Sequence, residues 1–149
     1  LLNNHLQTTS VSQNRRKWER GLASTSDTRR EAEVVQGAIT SLHDNFVKRA
    51  EQTDSIRQLA LASPYPVVAC GDFNSLPSSY TYTELSDILK DGFKTCGRGY
   101  MYTYRYFKRL LRIDYVFHSS SIQGYRYYSP NLDLCSDHNP VLMEMKIKK

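Results

Sequence analysis

The chain has 149 residues, of which 40% are hydrophobic and 23% are charged, and its formal net charge is +5. This length and balance suit one ordinary globular domain. The three cysteines include no Cys-x-x-Cys pair, which argues against a disulfide framework or a zinc site. No run of about eighteen apolar residues is present to form a membrane span. The positive charge favours anionic partners such as phosphate esters, nucleic acid or acidic lipid headgroups, without selecting among them.

The first third of the sequence predicts a strand, a basic segment and a long helix. Residues 1–6 indicate a strand. Residues 7–30 are interpreted as a solvated loop or helix face, with a phosphate-facing or membrane-facing flap as the alternative. From about Thr28, apolar residues at helical spacing predict a helix of roughly 20 residues, with a continuation through Ile56 and Leu59 after a break. The apolar stripe of this helix comprises Val35, Ala38, Ile39, Leu42 and Phe46.

The middle of the chain predicts a buried strand and a short helix. Pro64 and Pro66 end the long helix, because proline cannot extend it. Residues 67–70 form a short, continuous apolar run, which is typical of a strand buried on both faces. Residues 82–89 then predict a short helix, and Asp91-Gly92 either closes that helix or turns the chain after it.

The last third predicts four strands, at residues 101–106, 112–118, 124–128 and 141–147. In the last of these, apolar and polar residues alternate cleanly, which is typical of a half-buried strand. The element order is therefore strand, long helix, strand, short helix and four strands. This order predicts a layered α/β fold, or α+β by some schemes.

Polar residues gather at the predicted strand ends, where a rigid scaffold can hold side chains in fixed positions. Two pairs are spaced two residues apart, which places both members of a pair on one face of an extended segment. A single acid lies between apolar neighbours in the strand at 112–118, and an acid–histidine pair precedes the last strand. The candidate site residues are Asn3, His5, Asp72, Asn74, Asp114, Asp137 and His138.

Each of these groups also has a purely structural interpretation. Asp72 and Asn74 could form only a turn with side-chain-to-backbone hydrogen bonds. Asp114 could pair with Arg112 or a nearby basic residue as a structural ion pair. Asp137 could begin a turn ahead of Pro140. Taken together, however, the acids, asparagines and histidines supply what phosphoester hydrolysis requires: oxygen ligands for a hard cation, and a base and an acid to move protons. The chain has no motif for a nucleophilic serine or cysteine and no glycine-rich phosphate loop.

Four motifs in order resemble the later motifs of the endonuclease/exonuclease/phosphatase superfamily, which includes exonuclease III-like enzymes, pancreatic-type deoxyribonucleases, neutral sphingomyelinases and inositol polyphosphate 5-phosphatases. The resemblance covers the chain from end to end. Within the superfamily, the sequence looks most similar to uncharacterised bacterial members. The motifs are Asn3-x-His5-Leu6, Gly71-Asp72-Phe73-Asn74, Arg112-Ile113-Asp114-Tyr115-Val116-Phe117 and Ser136-Asp137-His138-Asn139-Pro140.

The resemblance implies a divalent-metal site. A Mg²⁺ or Mn²⁺ ion would be reached by Asp137, with Asp72 and Asn74 as further candidates for the metal. Asp72 would also orient or activate the attacking water, and Asn74 would hold a phosphate oxygen or that water.

The resemblance also assigns roles to the histidines. His138 would contact the scissile phosphate and assist proton transfer, and Asp114 would fix its orientation and charge. His5 would face the leaving group as an acid or a phosphate contact. Asn3 is a weaker candidate, and satisfying backbone groups is the alternative role for it.

The early motifs of the superfamily, including a metal-binding glutamate, would precede residue 1. We therefore expect residues 1–149 to be the carboxyl-terminal part of one domain. The superfamily fold is a four-layered α/β sandwich of two facing mixed sheets flanked by helices, and this chain would supply its second half. Because one sheet alone would expose its inner apolar face, the chain is expected to need the amino-terminal half. The localisation stays open, since a membrane anchor could lie upstream.

The motifs do not choose among nucleic acid, a phospholipid headgroup and a small phosphodiester as the substrate. Alternating tyrosines from Tyr100 to Tyr106 could stack bases, or could simply pack against the fold. The leading hypothesis is a metal-dependent phosphodiesterase or nuclease, with a lipid or inositol phosphatase or phosphodiesterase of the same family as the alternative. The competing hypotheses are a non-catalytic phosphate- or nucleic-acid-binding member and an inactive fragment. No obligate protein partner is indicated.

Overall fold

The computed structural model describes residues 1–9, 28–132 and 135–148. Most of the basic segment predicted at residues 7–30 lies outside these described residues. Among the described residues, no helix combines the length and the apolar content that crossing a membrane would require. The elements in chain order are β1 (Leu2–His5), α1 (Thr28–Ala62), β2 (Val68–Asp72), α2 (Tyr80–Ile88), β3 (Lys90–Asp91), α3 (Gly92–Cys96), a 3-10 turn (Phe107–Arg109), β4 (Asp114–His118), β5 (Ile122–Tyr128) and β6 (Leu142–Ile147).

The predicted α/β class is confirmed, with a four-stranded mixed sheet, a two-stranded sheet and helices. The larger sheet has the strand order β1-β2-β4-β3. Strand β1 runs parallel to β2, whereas β4 is antiparallel to both β2 and β3. Strands β5 and β6 form an antiparallel pair. Two compact units divide the chain, one formed by residues 1–6 and 52–149 and the other by residues 7–51.

The hydrophobic core of the first unit lies around β2 and β4. Aromatic rings dominate it: Phe73 packs edge-on against Phe117 with 5.5 Å between ring centroids, and Tyr82 lies 5.4 Å from Tyr115. Burial of such rings is among the largest contributions that single residues make to stability. The buried members of the core are Leu6, Ile56, Val67, Ala69, Phe73, Tyr82, Leu85, Leu89, Tyr115 and Phe117.

Helix α1 is longer than predicted. It runs without a break to Ala62, directly before the Ser63-Pro64 pair that ends it. Of the five residues in the predicted apolar stripe, three are exposed and two, Ala38 and Leu42, are half-buried. In the unit formed by residues 7–51, the buried positions are polar instead. The exposed members are Val35, Ile39 and Phe46, and the buried polar residues are Asn45 and Arg49.

These buried polar side chains are satisfied by the segment that follows β1. Arg49 donates from Nη1 to the carbonyl oxygen of Gln7 at 2.8 Å, and Gln7 donates from Nε2 to Asn45 Oδ1 at 2.9 Å. An irregular segment presents unpaired backbone carbonyls, so the helix face against it needs donors rather than apolar groups. Apolar periodicity alone therefore did not identify the polar residues that this helix buries.

Three smaller predictions also need correction. Residues 101–106 are not a strand and make only an isolated bridge between Tyr104 and His138. Asp91-Gly92 does not simply end a helix, because β3 and α3 meet there and the Asp91 carboxylate accepts from the Phe93 N–H at the start of α3. Strand β6 is not half-buried along its length: Ile147 is 60% exposed. A sheet of two strands is too small to cover its own apolar side chains.

Candidate active site

Three of the candidate residues form a row across the larger sheet. His5 in β1 is opposite Asp72 in β2, and Asp72 is opposite Asp114 in β4. Residues opposite one another in neighbouring strands project to the same face, so the register itself brings these side chains together. His5 Nε2 lies 3.6 Å from Asp72 Oδ2, and the His5 side chain is largely exposed.

His138 joins this row from the segment before β6. Its Nδ1 donates to Asp114 Oδ2 at 2.9 Å, and its Nε2 lies 3.9 Å from Asp72 Oδ2. The ring of Tyr104 contacts the His138 ring edge-on, with 5.1 Å between centroids. The hydrogen bond to Asp114 fixes the tautomer, so Nε2 is the nitrogen that faces the open side of the site.

A glycine allows β1 to approach β2 at the site. Gly71 has a φ of +128°, and a Cβ at this position would lie 1.9 Å from the carbonyl oxygen of Asn4. Only glycine combines this backbone conformation with so close an approach. A glycine is therefore required directly before Asp72, because a larger residue would prevent the approach of β1 that places His5 beside Asp72.

Asn74 holds the Asp72 carboxylate. It has a left-handed backbone with φ of 48°, which asparagine tolerates better than most residues. Its backbone N–H donates to Asp72 Oδ1 at 2.8 Å, and its Nδ2 donates to Asp72 Oδ2 at 3.1 Å and to the Leu6 carbonyl at 3.0 Å. The turn with side-chain-to-backbone hydrogen bonds, which was the purely structural interpretation of Asp72 and Asn74, is therefore present. These hydrogen bonds also orient the Asp72 carboxylate in the site.

Asp114 does not pair with Arg112, so that alternative is wrong. Arg112 instead makes a buried, two-pronged ion pair with Asp91, with distances of 2.8 and 3.2 Å. Tyr82 also donates to Asp91 at 2.7 Å, and the Arg112 guanidinium lies 4.6 Å from the centroid of the Tyr115 ring. This cluster fixes the position of Arg112, two residues before Asp114. The Asp114 carboxylate accepts a hydrogen bond from His138 instead.

Thr103 is a residue that the sequence interpretation missed. Its hydroxyl oxygen accepts from the N–H groups of Ile113 and Asp114 at 3.0 and 3.1 Å, and its carbonyl accepts from the Asn139 N–H at 2.7 Å. Thr103 is fully buried and ties the start of β4 to the segment that carries His138. No local sequence signal marks it, because it stands among tyrosines that suggest a strand.

Arg105 is a second residue of this kind. Its backbone N–H donates to the Asp137 carbonyl at 2.9 Å, and its Nη1 donates to the Ser136 carbonyl at 2.9 Å.

Two of the predicted site residues lie at the edge of the site. Asp137 is exposed. Asn3 is exposed as well, and it lines a cavity of about 380 Å³ together with Asp114 and His138.

The electrostatics of the site depend on the close approach of two acids. Burial raises the pKa of Asp72, and the neighbouring Asp114 raises it further, against the opposing effect of the Asn74 N–H and the histidines. The hydrogen bond to Asp114 raises the pKa of His138 despite partial burial of the ring. Carboxylates held this close favour a cation or a shared proton between them.

The donor set fits a divalent cation. Asp72, Asp114 and His138 each offer a ligand atom, and these atoms all lie within 4.8 Å of one another. Carboxylate oxygens suit Mg²⁺ and Mn²⁺, and an imidazole nitrogen is tolerated better by Mn²⁺ than by Mg²⁺. Asp137, predicted as the principal metal ligand, lies outside this three-residue group.

The fold and the site together define an α/β protein with an acid–histidine cluster at the ends of its strands. The family model described as Endonuclease/Exonuclease/phosphatase family matches residues 17–138, and the chain belongs to this family. No curated protein matched the sequence.

Solved structures show the same fold. A conserved protein of unknown function from Enterococcus faecalis matches at a TM-score of 0.62 and 20% identity, over 69% of this chain and 46% of that one. An endonuclease/exonuclease/phosphatase from Bacteroides vulgatus matches at 0.58 and 28%, over 68% and 44%. A mannosyl-6-phosphatase from Bacteroides thetaiotaomicron matches at 0.53 and 24%, over 70% and 46%. The chain spans less than half the length of these three structures.

Proposed function

We propose that this chain carries the acid–histidine half of the active site of a divalent-metal-dependent phosphoesterase, most simply a phosphodiesterase or nuclease. The observation that supports this most directly is the arrangement of Asp72, Asp114 and His138 within 4.8 Å of one another. Membership of a family whose name covers nucleases and phosphatases supports the reaction class. The chain spans under half of its solved relatives, so the activity of a complete domain is itself part of this proposal.

In the proposed reaction, Asp72 accepts a proton from the water that attacks phosphorus. Its raised pKa suits a base working nearer to neutral pH than an ordinary carboxylate, and Asn74 holds both of its oxygens in place. A bound Mg²⁺ or Mn²⁺ ion would supply charge neutralisation of the phosphate oxygens. Asp72 and Asp114 would provide its oxygen ligands within the described residues, with Asp137 and the side-chain oxygen of Asn74 as further candidates.

His138 is assigned the contact with the phosphate. Its Nδ1 is occupied by Asp114, so Nε2 is free to donate to a phosphate oxygen or to the leaving oxygen. The raised pKa of His138 keeps this nitrogen protonated to higher pH, as an acid in this role requires. His5 lies on the other side of Asp72 and is exposed enough to meet the leaving group.

The test measures hydrolysis of bis(p-nitrophenyl) phosphate, plasmid DNA and phosphoinositides with Mg²⁺, Mn²⁺ or EDTA. It uses the 149-residue chain and the longest natural form of the protein that contains it. Asp72→Asn and His138→Gln are each expected to reduce the rate by about a hundredfold or more, because each removes a proton-transfer group. Asp87→Asn, which alters an exposed acid on α2, is the matched control and should retain full activity.

The outcomes separate the alternatives. Hydrolysis of DNA favours a nuclease, and hydrolysis of phosphoinositides alone favours a lipid phosphatase of the same family. Phosphate or nucleic-acid binding without hydrolysis in any metal would mean a non-catalytic member. Activity that persists in EDTA, or that is unchanged in both active-site variants, would refute the proposed mechanism.

A further inference from the structure

A second cavity, of about 700 Å³, lies between the loop after α3 and strand β5. It shares no lining residue with the cavity that contains Asp114 and His138. Its volume falls within the range of sites for small organic ligands. Its walls are rich in tyrosine and arginine, namely Tyr100, Tyr102, Tyr125, Tyr127, Tyr128, Arg98 and Arg126.

Two tyrosine rings of this cavity, those of Tyr100 and Tyr125, are exposed, whereas the Tyr102 and Tyr128 rings are contacted by the guanidinium groups of Arg109 and Arg126. Tyr100 and Tyr125 are 69% and 58% exposed. Within the described part of the chain, Tyr100, Tyr102, Tyr125 and Tyr128 make no ring–ring contact. Tyr100 is nevertheless held in place, because its hydroxyl donates to the Leu110 carbonyl at 2.7 Å. Exposed rings on fixed backbone are platforms on which a planar ligand can stack with little loss of conformational entropy.

One of the two arginines is available for an anion. Arg126 is engaged on both sides: its guanidinium lies 4.4 Å from the Tyr128 ring centroid, and its Nη1 lies 3.7 Å from Glu144 Oε1. Arg98 is exposed and has neither a hydrogen bond nor an ion pair with any residue that the structure describes. An unpaired guanidinium beside aromatic faces suits a ligand that joins a phosphate to a planar ring.

We propose that this cavity is a nucleotide-binding subsite, in which a nucleobase stacks on Tyr100 or Tyr125 and its phosphate pairs with Arg98. Glu144, the acidic residue among the lining side chains, can accept a hydrogen bond from an exocyclic amine of the base. A sugar phosphate without a base would forgo the stacking, and an aliphatic lipid chain would leave Arg98 unused. The subsite is independent of metal and of hydrolysis at the Asp72–His138 site.

The experiment is calorimetric titration of the protein with AMP in the presence of EDTA, with ribose 5-phosphate and adenosine as companion ligands. AMP is expected to bind more tightly than either companion. Tyr125→Ala should weaken the Kd for AMP about tenfold, as loss of one stacking ring typically does. Tyr125→Phe should keep near-normal affinity, because the ring remains. Arg98→Ala should weaken AMP binding about fivefold and leave adenosine binding unchanged.

Two controls locate the site. Tyr65→Ala removes a tyrosine that is 77% exposed elsewhere on the chain and should not change the Kd. His138→Ala distinguishes the two cavities, because loss of AMP binding in this variant would place AMP in the cavity that contains His138. The proposal is overturned if AMP does not bind, if ribose 5-phosphate binds as tightly as AMP, if Tyr125→Ala and Arg98→Ala both bind normally, or if His138→Ala abolishes binding. None of these results depends on hydrolysis, so the proposed function and this subsite can fail separately.

Discussion

Residues 67–70 and residues 101–106 are both predicted as strands from the sequence, but only the first segment lies in one. Strand β2 lies between β1 and β4 and pairs with both of them. The 101–106 segment instead meets loops: Thr103 and Tyr104 donate to the Leu111 carbonyl, and Arg105 donates to the Asp137 carbonyl. Alternating aromatic residues therefore indicate only how side chains alternate along a segment. A strand also requires a neighbouring strand that forms hydrogen bonds with its backbone.

The two segments position the active site in different ways. In β2, the register aligns Asp72 with His5 and Asp114, so the sheet itself carries the geometry. In the 101–106 segment, one buried threonine connects the backbone of β4 to the backbone beside His138. We expect the sheet to dominate stability and the irregular segment to dominate the alignment of the Asp114–His138 pair.

The largest effect is expected from Gly71→Ala in β2. The new Cβ would overlap the Asn4 carbonyl oxygen at 1.9 Å, and alanine would be strained at a φ of +128°. A change that forces β1 away from β2 should lower the free energy of unfolding by about 4 kcal/mol or more. Urea denaturation monitored by circular dichroism measures it.

Gly37→Ala is the matched control for this substitution. Gly37 lies in α1, and a Cβ added there would meet no atom within 4 Å among the residues that the structure describes, so alanine should stabilise the helix by up to about 1 kcal/mol. If the two variants had similar stability, the close approach of β1 to β2 would not be the reason for a glycine at position 71.

An intermediate effect is expected from Thr103→Val in the irregular segment. Valine keeps the volume but leaves the N–H groups of Ile113 and Asp114 without their acceptor, at a cost of about 2–4 kcal/mol. Displacement of Asp114 should also reduce any phosphodiesterase rate by about tenfold. Both effects are measured on the same protein, by denaturation and by hydrolysis at saturating metal.

Thr103→Ser separates the hydroxyl from the rest of the side chain. Serine retains the acceptor oxygen, so it should recover most of the rate while losing some packing. Thr83→Val is the control at an exposed helix position, where the hydroxyl donates only to the Ser79 carbonyl. A rate in Thr103→Val equal to that of Thr83→Val would show that the irregular segment does not align the pair.

These two regions also show how far the sequence could predict the molecule. Polar residues after apolar runs predicted which side chains meet, because Asp72 and Asp114 stand at fixed positions in strong strand patterns. The partner of Arg112 was not predictable, since Asp91 is 21 residues away and is brought close only by the pairing of β3 with β4. Thr103 acts mainly through hydrogen bonds to backbone groups, which no residue-type pattern records. The buried polar residues of α1 were not predicted, because their partner is an irregular segment.

The smallest effect, and the most direct measure of the Asp114–His138 contact, is a shift in titration. The carboxylate of Asp114 raises the pKa of His138, so Asp114→Asn should lower that pKa in metal-free protein, as followed by NMR of the imidazole protons in EDTA. Because the folded-state pKa is raised, the ion pair stabilises the fold fully below about pH 6.5 and this contribution is lost as the pH rises through the raised value. Asp114→Asn should therefore cost more stability at about pH 6 than at about pH 9. Asp87→Asn should leave the His138 midpoint where it is, and an equal midpoint in Asp114→Asn would mean that the contact does not govern the charge of the histidine.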